Sequence, residues 1–346
     1  MAAEASTTRA HVTRTVVIAA ALTAALSILL LAFALPGVHS TPSDIRVGVV
    51  GSPTATAAIE RPVDTAQPGA FDFSRPASEA DARTAIERRD LDGALIVGDN
   101  GIRTLVTTAG SPSVATLVET LGNQVAQRSG STSTVLDVRG FGGGDPKGVG
   151  LAAGALPLAL GGWIGALVIM MTVRRPRALV ITTVVFAGVG GLALTAILRF
   201  VLGTFDGRFW PTAAAAMLGI AATAFGVIGL RTLFGAAGLG IAGIALIVLG
   251  NPLSGLTSSP ELLPAPWGAI GQYLPPGATG TLLRNTVFFD GHATAHPIVV
   301  LSAWLLIGLA FYAIATVRGR GDNDRVEEIL DEEWDVEPES ARAGAR

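Results

Sequence analysis

The chain of 346 residues is 50% hydrophobic and 15% charged, with a mean hydropathy of +0.54 and a net charge of -3. This composition is too apolar for an ordinary soluble domain, and no basic patch interleaved with aromatic residues indicates nucleic-acid binding. The chain has no cysteine, which excludes disulfide bonds, a thiol nucleophile and cysteine–zinc sites.

Apolar runs are the main signal along the chain, because an α-helix needs about 20 apolar residues to cross a hydrocarbon core about 30 Å thick. One run stands alone near the N-terminus, and the others follow a long polar stretch. The six predicted membrane spans are residues 16–35, 149–173, 178–202, 212–230, 234–249 and 297–317. The sequence therefore predicts a mainly α membrane protein, in which an N-terminal anchor is joined to a five-helix bundle.

The placement of arginines predicts the orientation of these spans. They precede the first span, separate the second from the third, end the fourth and follow the sixth: Arg9, Arg14, Arg174, Arg175, Arg177, Arg231, Arg318 and Arg320. All of them lie on one side of the membrane if both termini are cytoplasmic, as the positive-inside rule expects. We therefore expect a multi-pass plasma-membrane protein.

This topology divides the chain into five predicted regions. They are a cytoplasmic leader (1–14), a transmembrane anchor (15–36), an extracytoplasmic α/β domain (37–148), a five-helix membrane domain (149–317) and an acidic cytoplasmic tail (318–346). A cleaved signal peptide is the alternative to the anchor, because Ala32-Phe33-Ala34 resembles a cleavage site. The anchor is favoured, since the apolar run exceeds the about 7–15 residues usual in signal peptides.

The predicted external domain alternates strand and helix patterns. Strands are expected at 45–50, 94–97 and 104–107, and helices at 78–89 and 113–127. Ser78 is the expected N-cap of the first helix, and Asp99-Asn100-Gly101 is the expected turn between the last two strands. The glycines of 140–144 predict a flexible joint into the membrane domain.

The predicted spans contain no Asp, Glu, Lys or His, and Arg199 is their sole charge. Ion-coupled carriers and intramembrane hydrolases keep ionisable groups at membrane depth, so the sequence argues against both. We predict no enzyme, cofactor or metal site, and His292 and His296 fit a polar loop better than a zinc site. Glycines such as Gly161 and Gly165 predict close helix packing, either within one chain or in a dimer.

The most distinctive segment is 251–291, which is too proline-rich to span a membrane and too apolar for a free loop. Helical pieces at 260–273 and 277–289, separated by Pro275-Pro276, predict a re-entrant helical hairpin in the outer leaflet. Its aromatic residues are expected at the membrane interface: Trp267, Tyr273, Phe288 and Phe289. Its candidate pathway residues are Asn251, Pro252, Pro264, Trp267, Pro275, Pro276 and Arg284. The local sequence leaves two roles open for Arg284, an interfacial anchor or a substrate contact.

Five motifs stand out along the chain: Asn-Pro-Leu-Ser-Gly at 251–255, Pro-Glu-Leu-Leu-Pro at 260–264, Leu-Pro-Pro-Gly at 274–277, the strand at 45–50 and Leu-Asp-Gly-Ala-Leu-Ile-Val at 91–97. These motifs resemble those of ABC type-2 exporter permeases, especially their relatives in the phage-infection-protein (Pip) family. The resemblance implies an exporter-type membrane subunit, forming a homo- or hetero-dimer, whose energy comes from a separate cytoplasmic ABC ATPase. The chain departs from the family at 174–177, a connection too short for an ample coupling helix.

Two functional hypotheses follow from these observations. The first is a permease, surrounded by membrane lipid, that moves an amphipathic or lipid-linked substrate outward. The second is a non-transporting envelope scaffold, secretion-accessory or phage-receptor-like protein that acts through its external domain. The acidic tail fits either a docking helix for a cytoplasmic partner or a solvated segment, since Trp334 and apolar neighbours lie near one helical face.

Overall fold

The computed structural model describes residues 42–98, 101–256 and 259–335, together with parts of 13–34. Residues 13–20 are helical, within the predicted leader and anchor. The bounds of that first span and the question of its cleavage lie outside the described residues, as does the part of the tail after residue 335.

The first part of the described chain is a mixed five-stranded sheet with helices on both faces. Its elements are β1 (Ile45–Val50), α1 (Pro53–Ala66), β2 (Phe71–Ser74), α2 (Glu79–Glu87), β3 (Gly93–Gly98), β4 (Gly101–Val106), α3 (Pro112–Ser129) and β5 (Ser133–Asp137). The strand order is β2-β1-β3-β4-β5, and all neighbours are parallel except the antiparallel β3–β4 pair. We call this unit the sheet domain; its predicted strands and helices are confirmed to within a few residues.

Two apolar cores, one on each face, hold the sheet domain together. Ile45, Val47 and Val49 of β1 pack with α1 and α3 on one face. Ala94 and Leu105 pack with α2 on the other. Both faces of the central strands are therefore covered, as is typical of parallel strands flanked by helices.

Three elements of the sheet domain were not predicted from the sequence: α1, β2 and β5. Helix α1 has a recognisable start, because the Ser52 hydroxyl accepts a hydrogen bond from the Ala55 N–H at 3.3 Å and Pro53 follows as the first helical residue. Pro62 within the helix obscures its apolar periodicity. The edge strand β5 is largely exposed and lacks the apolar alternation that marks a strand.

The second part is helical. Its helices are α4 (Val149–Thr172), α5 (Pro176–Ala196), α6 (Phe209–Gly243), α7 (Trp267–Gln272), α8 (Pro275–Phe288) and α9 (Ala295–Asp335). Short π-helical turns, Ile197–Val201 and Ile244–Leu249, extend α5 and α6. Three helices in the described chain are long and apolar enough to cross a membrane: Pro176–Val201, Phe209–Leu249 and Ala295–Arg318. A shorter apolar helix, Leu160–Thr172, belongs to α4.

The longest of these apolar helices is broken at Gly235. This residue has φ 63° and ψ -137°, which no helix contains. A Cβ added at Gly238 would overlap the carbonyl oxygen of Leu230, whereas eight residues of straight helix would separate the two by about 12 Å. The chain therefore turns back at Gly235, next to the predicted boundary between the fourth and fifth spans.

The helices form a bundle with two distinct ends. At one end, the Tyr312 hydroxyl donates to the carbonyl of Pro176 at 3.1 Å, and the rings of Phe234 and Phe311 lie 5.6 Å apart. This end carries the arginines predicted to face one side of the membrane, since Arg174, Arg175, Arg177, Arg231 and Arg318 flank these contacts. The sheet domain contacts the opposite end, where Arg139 forms an ion pair with Asp290.

The predicted flexible joint at 140–144 is packed against the bundle. The Phe141 ring lies edge-on to that of Phe288, with 5.5 Å between centroids. A Cβ added at Gly144 would lie 2.6 Å from the carbonyl oxygen of Gly203. Asp145 then caps α4 by accepting from the backbone N–H groups of Val149 and Gly150 at 2.9 and 2.7 Å. The missing side chains allow close approach of two backbones here, and the flexibility of this joint stays a prediction.

Candidate functional site

Residues 251–291, which we call the junction segment, lie between the sheet domain and the bundle. Leu262 belongs to the core of the sheet domain, whereas Leu282 and Leu283 belong to the core of the bundle. The backbone N–H of Ser43 donates to the carbonyl of Glu261 at 2.9 Å, which ties the start of the sheet domain to the same segment. The junction segment therefore packs on both parts of the protein.

The seven candidate pathway residues are spread along this segment. Asn251 and Pro252 start the turn Pro252–Ser254, and Pro264 accepts from the Trp267 N–H at 2.8 Å where α7 begins. Pro275 and Pro276 are buried in the first turn of α8. The sequence predicts a break between two helical pieces at these prolines, but the break lies just before them and both prolines belong to α8. Proline fits the first helical turn, because its missing N–H would have no intrahelical partner there.

The aromatic residues of the junction segment fall into two groups. Trp267 and Tyr273 are 46% and 62% exposed, whereas Phe288 and Phe289 are 9% and 0% exposed. The interfacial position predicted for the two phenylalanines is therefore wrong. Phe288 packs on Phe141. The side chain of Arg89, which belongs to the sheet domain, lies over the ring of Phe289.

Cationic side chains meet at this junction, beginning with an ion pair inside the sheet domain. The Nε and Nη2 of Arg46 donate to the two carboxylate oxygens of Asp92 at 3.1 and 2.8 Å, and its Nη1 donates to the carbonyl of Arg89 at 2.7 Å. Asp92 is 4% exposed. Burial acts to lower the pKa of Arg46, but the carboxylates of Asp92, Glu261 and Asp90 together outweigh it, so the pKa is raised.

Arg89 is the second member of this group. Its guanidinium lies 4.7 Å from the centroid of the Phe289 ring, a cation–π distance. Its Nη1 lies 3.8 Å from the nearest Asp92 oxygen, too far for a direct hydrogen bond. Burial lowers the pKa of Arg89, against the opposing charges of Asp92 and Glu261.

Arg284 of α8 completes the group from the bundle side. Within the described residues it makes no hydrogen bond and no ion pair within 4 Å; its charge interacts with those of Arg89 and Glu261. Burial lowers its pKa to about 10, and the repulsion from Arg89 exceeds the attraction to Glu261. Of the two roles left open by the sequence, this position disfavours an anchor in lipid, since the charge of Arg284 interacts with those of Arg89 in the sheet domain and Glu261 in the junction segment. We call Arg46, Arg89, Arg284, Asp92 and Glu261 the junction cluster.

A second set of charges fastens the two parts together beside the junction cluster. Asp290 accepts from Arg139 Nη2 at 2.9 Å, and its other oxygen lies 3.6 Å from Arg208 Nη1. Arg139 belongs to the sheet domain, whereas Arg208 precedes α6. The contact therefore connects the sheet domain, the junction segment and the bundle.

Backbone strain is concentrated around the same junction. Five non-glycine residues of the described chain have positive φ angles, and all lie in or beside the contacts above: Asp44, Arg89, Arg208, Asp290 and Ala293. Left-handed backbone costs about 1–2 kcal/mol for such residues. Two of these residues, Arg89 and Asp290, directly follow the ends of α2 and α8, where a left-handed residue commonly closes a helix.

Other candidate features of the sequence are not combined into a site. His296 packs edge-on against Tyr273 at 5.2 Å, and the described residues contain no group of three His, Cys, Asp or Glu that could hold a metal ion. Arg199 donates to the carbonyl of Gly207 at 3.3 Å, at the bundle end that faces the sheet domain.

The fold and the junction define a mainly helical protein with apolar helices compatible with a membrane protein and a small sheet domain at one end. Comparison of the chain with protein-family models, with curated proteins and with solved structures finds no match in any of the three. The function is therefore argued from the junction itself.

Proposed function

We propose that the chain is an exporter-type membrane permease subunit, similar to ABC type-2 permeases, that moves an amphipathic or lipid-linked molecule outward. In this proposal the anchor and five bundle segments span the membrane, the junction segment is re-entrant in the outer leaflet, and both termini are cytoplasmic. The arginine-bearing end of the bundle supports this orientation, because arginines favour the cytoplasmic side. A dimer of this chain with itself or with a related chain would form the transport unit.

The observation that carries this proposal is the shared packing of the junction segment. Leu262 is buried in one core and Leu283, farther along the same segment, in the other, so the junction segment offers a route by which movement of α8 reaches the base of the sheet domain. A permease needs such a link, because energy applied at the cytoplasmic side has to change the shape of the outer face. The apolar spans, in which Arg199 is the sole charge, support an amphipathic cargo in preference to an inorganic ion.

The proposed energy source is an ATPase that docks on the cytoplasmic end of α9. The apolar stretch of this helix ends at Arg318, but the helix continues to Asp335, about 25 Å farther along its axis. The sequence of this extension is acidic. A helical extension of that length offers a docking surface outside the membrane.

Affinity purification of the full chain through an N-terminal tag tests the permease proposal. We expect an ATPase to co-purify, and reconstituted vesicles of the pair to move a fluorescent phospholipid analogue only with ATP. A chain that ends at Arg320 should lose the ATPase while keeping its fold, because the apolar stretch remains complete. Recovery of no ATPase, together with unchanged movement of the analogue without ATP, would overturn the proposal.

A specific feature favours a second candidate, the non-transporting envelope scaffold. Only three residues, Val173, Arg174 and Arg175, connect α4 to α5 at the arginine-bearing end, which leaves no coupling helix between them. Deletion of the sheet domain separates the two proposals. A scaffold should lose its activity completely, whereas a permease should retain residual flux through the bundle.

A further inference from the structure

We propose that Arg89 and Arg284 together bind the phosphate-type anion of an amphipathic molecule's headgroup at the junction between sheet domain and bundle. This inference rests on the proposed function, since it names the chemical class of the molecule that the permease handles.

The charges around Arg89 and Arg284 are only partly neutralised. Arg46 already engages both oxygens of Asp92, which leaves Arg89 a 3.8 Å contact with that carboxylate. The Glu261 carboxylate accepts from the Ser259 hydroxyl, and no ion pair within 4 Å joins it to Arg284 in the part of the chain that the structure describes. Asp90 adds a further negative charge near Arg46, from an exposed position. Residues 257 and 258, which precede Ser259, are an uncharged threonine and serine.

Two guanidinium groups without full ionic partners are suited to a phosphate. Each presents a planar fork of N–H donors that matches two phosphate oxygens, and such charge-assisted hydrogen bonds are among the strongest in proteins. Phe289 forms an apolar floor beneath Arg89 and is fully buried. Contacts of this kind strengthen in such partly desolvated surroundings.

The neighbouring cavity helps to place the anion. A cavity of about 180 Å³ lies beside the junction cluster and is lined by Asp44, Glu261, Gln272 and several apolar residues. Its two carboxylates would repel a phosphate, so we place the anion against the arginines and not in this cavity. The exposed rings of Trp267 and Tyr273 on the same junction segment provide an apolar surface for the acyl part of the molecule.

The end of α2 fixes the position of Arg89. Arg89 has φ 66°, the left-handed conformation that commonly closes a helix, because it follows the last turn of α2. Its guanidinium is held close against Gly110, where an added Cβ would lie 2.5 Å from Arg89 Nη1. The chain thus aims Arg89 at the junction, and the absence of a side chain at Gly110 leaves room for it.

Binding to the full-length protein in detergent tests this inference with three probes. They are dioctanoyl phosphatidylglycerol, dioctanoylglycerol with the same chains and no phosphate, and inorganic phosphate. We expect the phosphatidyl lipid to bind at least about tenfold more tightly than dioctanoylglycerol. Arg89→Gln and Arg284→Gln should each weaken its binding about tenfold or more, whereas Arg103→Gln should not. Arg103 is a matched control, because it is an exposed arginine of the same domain paired with Glu79.

Thermal unfolding of the same variants separates binding from structure. Arg284→Gln removes a partly buried, incompletely paired charge, so we expect its midpoint to stay unchanged or rise. If Arg284→Gln fails to fold, Arg284→Lys keeps the charge, and we expect it to retain more binding than Arg284→Met. If Arg284→Gln and Arg284→Met both lowered the unfolding midpoint while their folded fractions bound the lipid as tightly as the native protein, the role of Arg284 would be structural. That result would overturn the inference.

The probes also identify the source of the anion. If inorganic phosphate bound as tightly as the phosphatidyl lipid, and the arginine variants weakened both equally, the anion site would stand and its ligand would be free phosphate. Lipid binding that none of the arginine variants weakens, or no binding of any probe, would overturn the inference. The assay needs neither ATP nor an ATPase, so the anion site can stand if no ATPase co-purifies, and it can fail while the permease proposal holds.

Discussion

Gly308→Leu is expected to prevent the bundle from assembling, with a loss of at least about 3 kcal/mol in the free energy of unfolding. Gly308 marks the closest crossing of α6 and α9. A Cβ at Gly308 would overlap the carbonyl oxygen of Phe225, and one at Gly229 would overlap the carbonyl oxygen of Gly308. Because the obstructing atoms belong to helix backbones, no rotamer change relieves the overlap, and the two helices would have to separate.

Thermal unfolding followed by size-exclusion chromatography in detergent measures this effect. Gly188→Leu is the matched control, because α5 offers open space around a Cβ at Gly188. We expect the control to keep its stability or to gain up to about 1 kcal/mol, because leucine favours a helix more than glycine does. Equal stability of the two variants would contradict the close crossing of α6 and α9.

Asp92→Asn is expected to destabilise the sheet domain by about 2 kcal/mol, because it removes the charge of a buried carboxylate that is hydrogen-bonded to Arg46, whose side chain is 36% exposed. Asp92 is 4% exposed and holds Arg46 through two side-chain hydrogen bonds. Its backbone N–H also donates to the carbonyl of Arg46 at 2.8 Å, which places the pair between β1 and the start of β3. The substitution would leave Arg46 and Arg89 facing each other with less negative charge.

Glu60→Gln provides the comparison for Asp92→Asn. The Arg75–Glu60 pair is as short, at 2.6 Å, but its arginine is 56% exposed. Solvent screening makes such exposed pairs weak contributors to stability. Chemical denaturation of the two variants should show a much larger loss for Asp92→Asn, and the reverse order would show that the Arg46–Asp92 pair is not the stronger support.

Much of the sheet domain could be predicted because its signals are local. The apolar run at 45–50 became β1, and Ser78 caps α2 by accepting from the Asp81 N–H at 3.1 Å. The turn signal at 99–101 lies between two antiparallel strands, although residues 99 and 100 themselves are outside the described chain. Helix α1 was not predicted, because Pro62 interrupts the apolar periodicity by which helices are recognised.

The bundle was predicted less completely. The helical segments near 178–202, 212–230, 234–249 and 297–317 follow from apolar length alone, and the reversal at Gly235 lies just after the expected arginine-bearing break at 231–233. Six spans and a re-entrant hairpin stay predictions. The glycine pattern did not reveal which positions pack, since Gly165 contacts Phe186 while Gly161 faces open space.

The junction cluster could not be predicted from the sequence. Of its members, only Arg284 was a candidate, and no spacing rule connects it to Arg46 or Arg89, which lie about 200 residues earlier in another domain. Long-range packing of α8 against the sheet domain brings these charges together. Arg89 carried no local signal, because an arginine after a helix is usually a solvated residue.

The central claim is that the sheet domain lies on the extracytoplasmic side of the membrane and the arginine-bearing end on the cytoplasmic side. Labelling of single cysteines on spheroplasts tests this claim most directly. The native chain has no cysteine, so each introduced thiol reports one position. Gln127→Cys lies on an exposed position of α3, and Ser340→Cys lies in the tail. We predict that a membrane-impermeant maleimide labels Gln127→Cys at once and Ser340→Cys only after lysis. Labelling of the tail in sealed cells, with the sheet domain protected, would contradict the account.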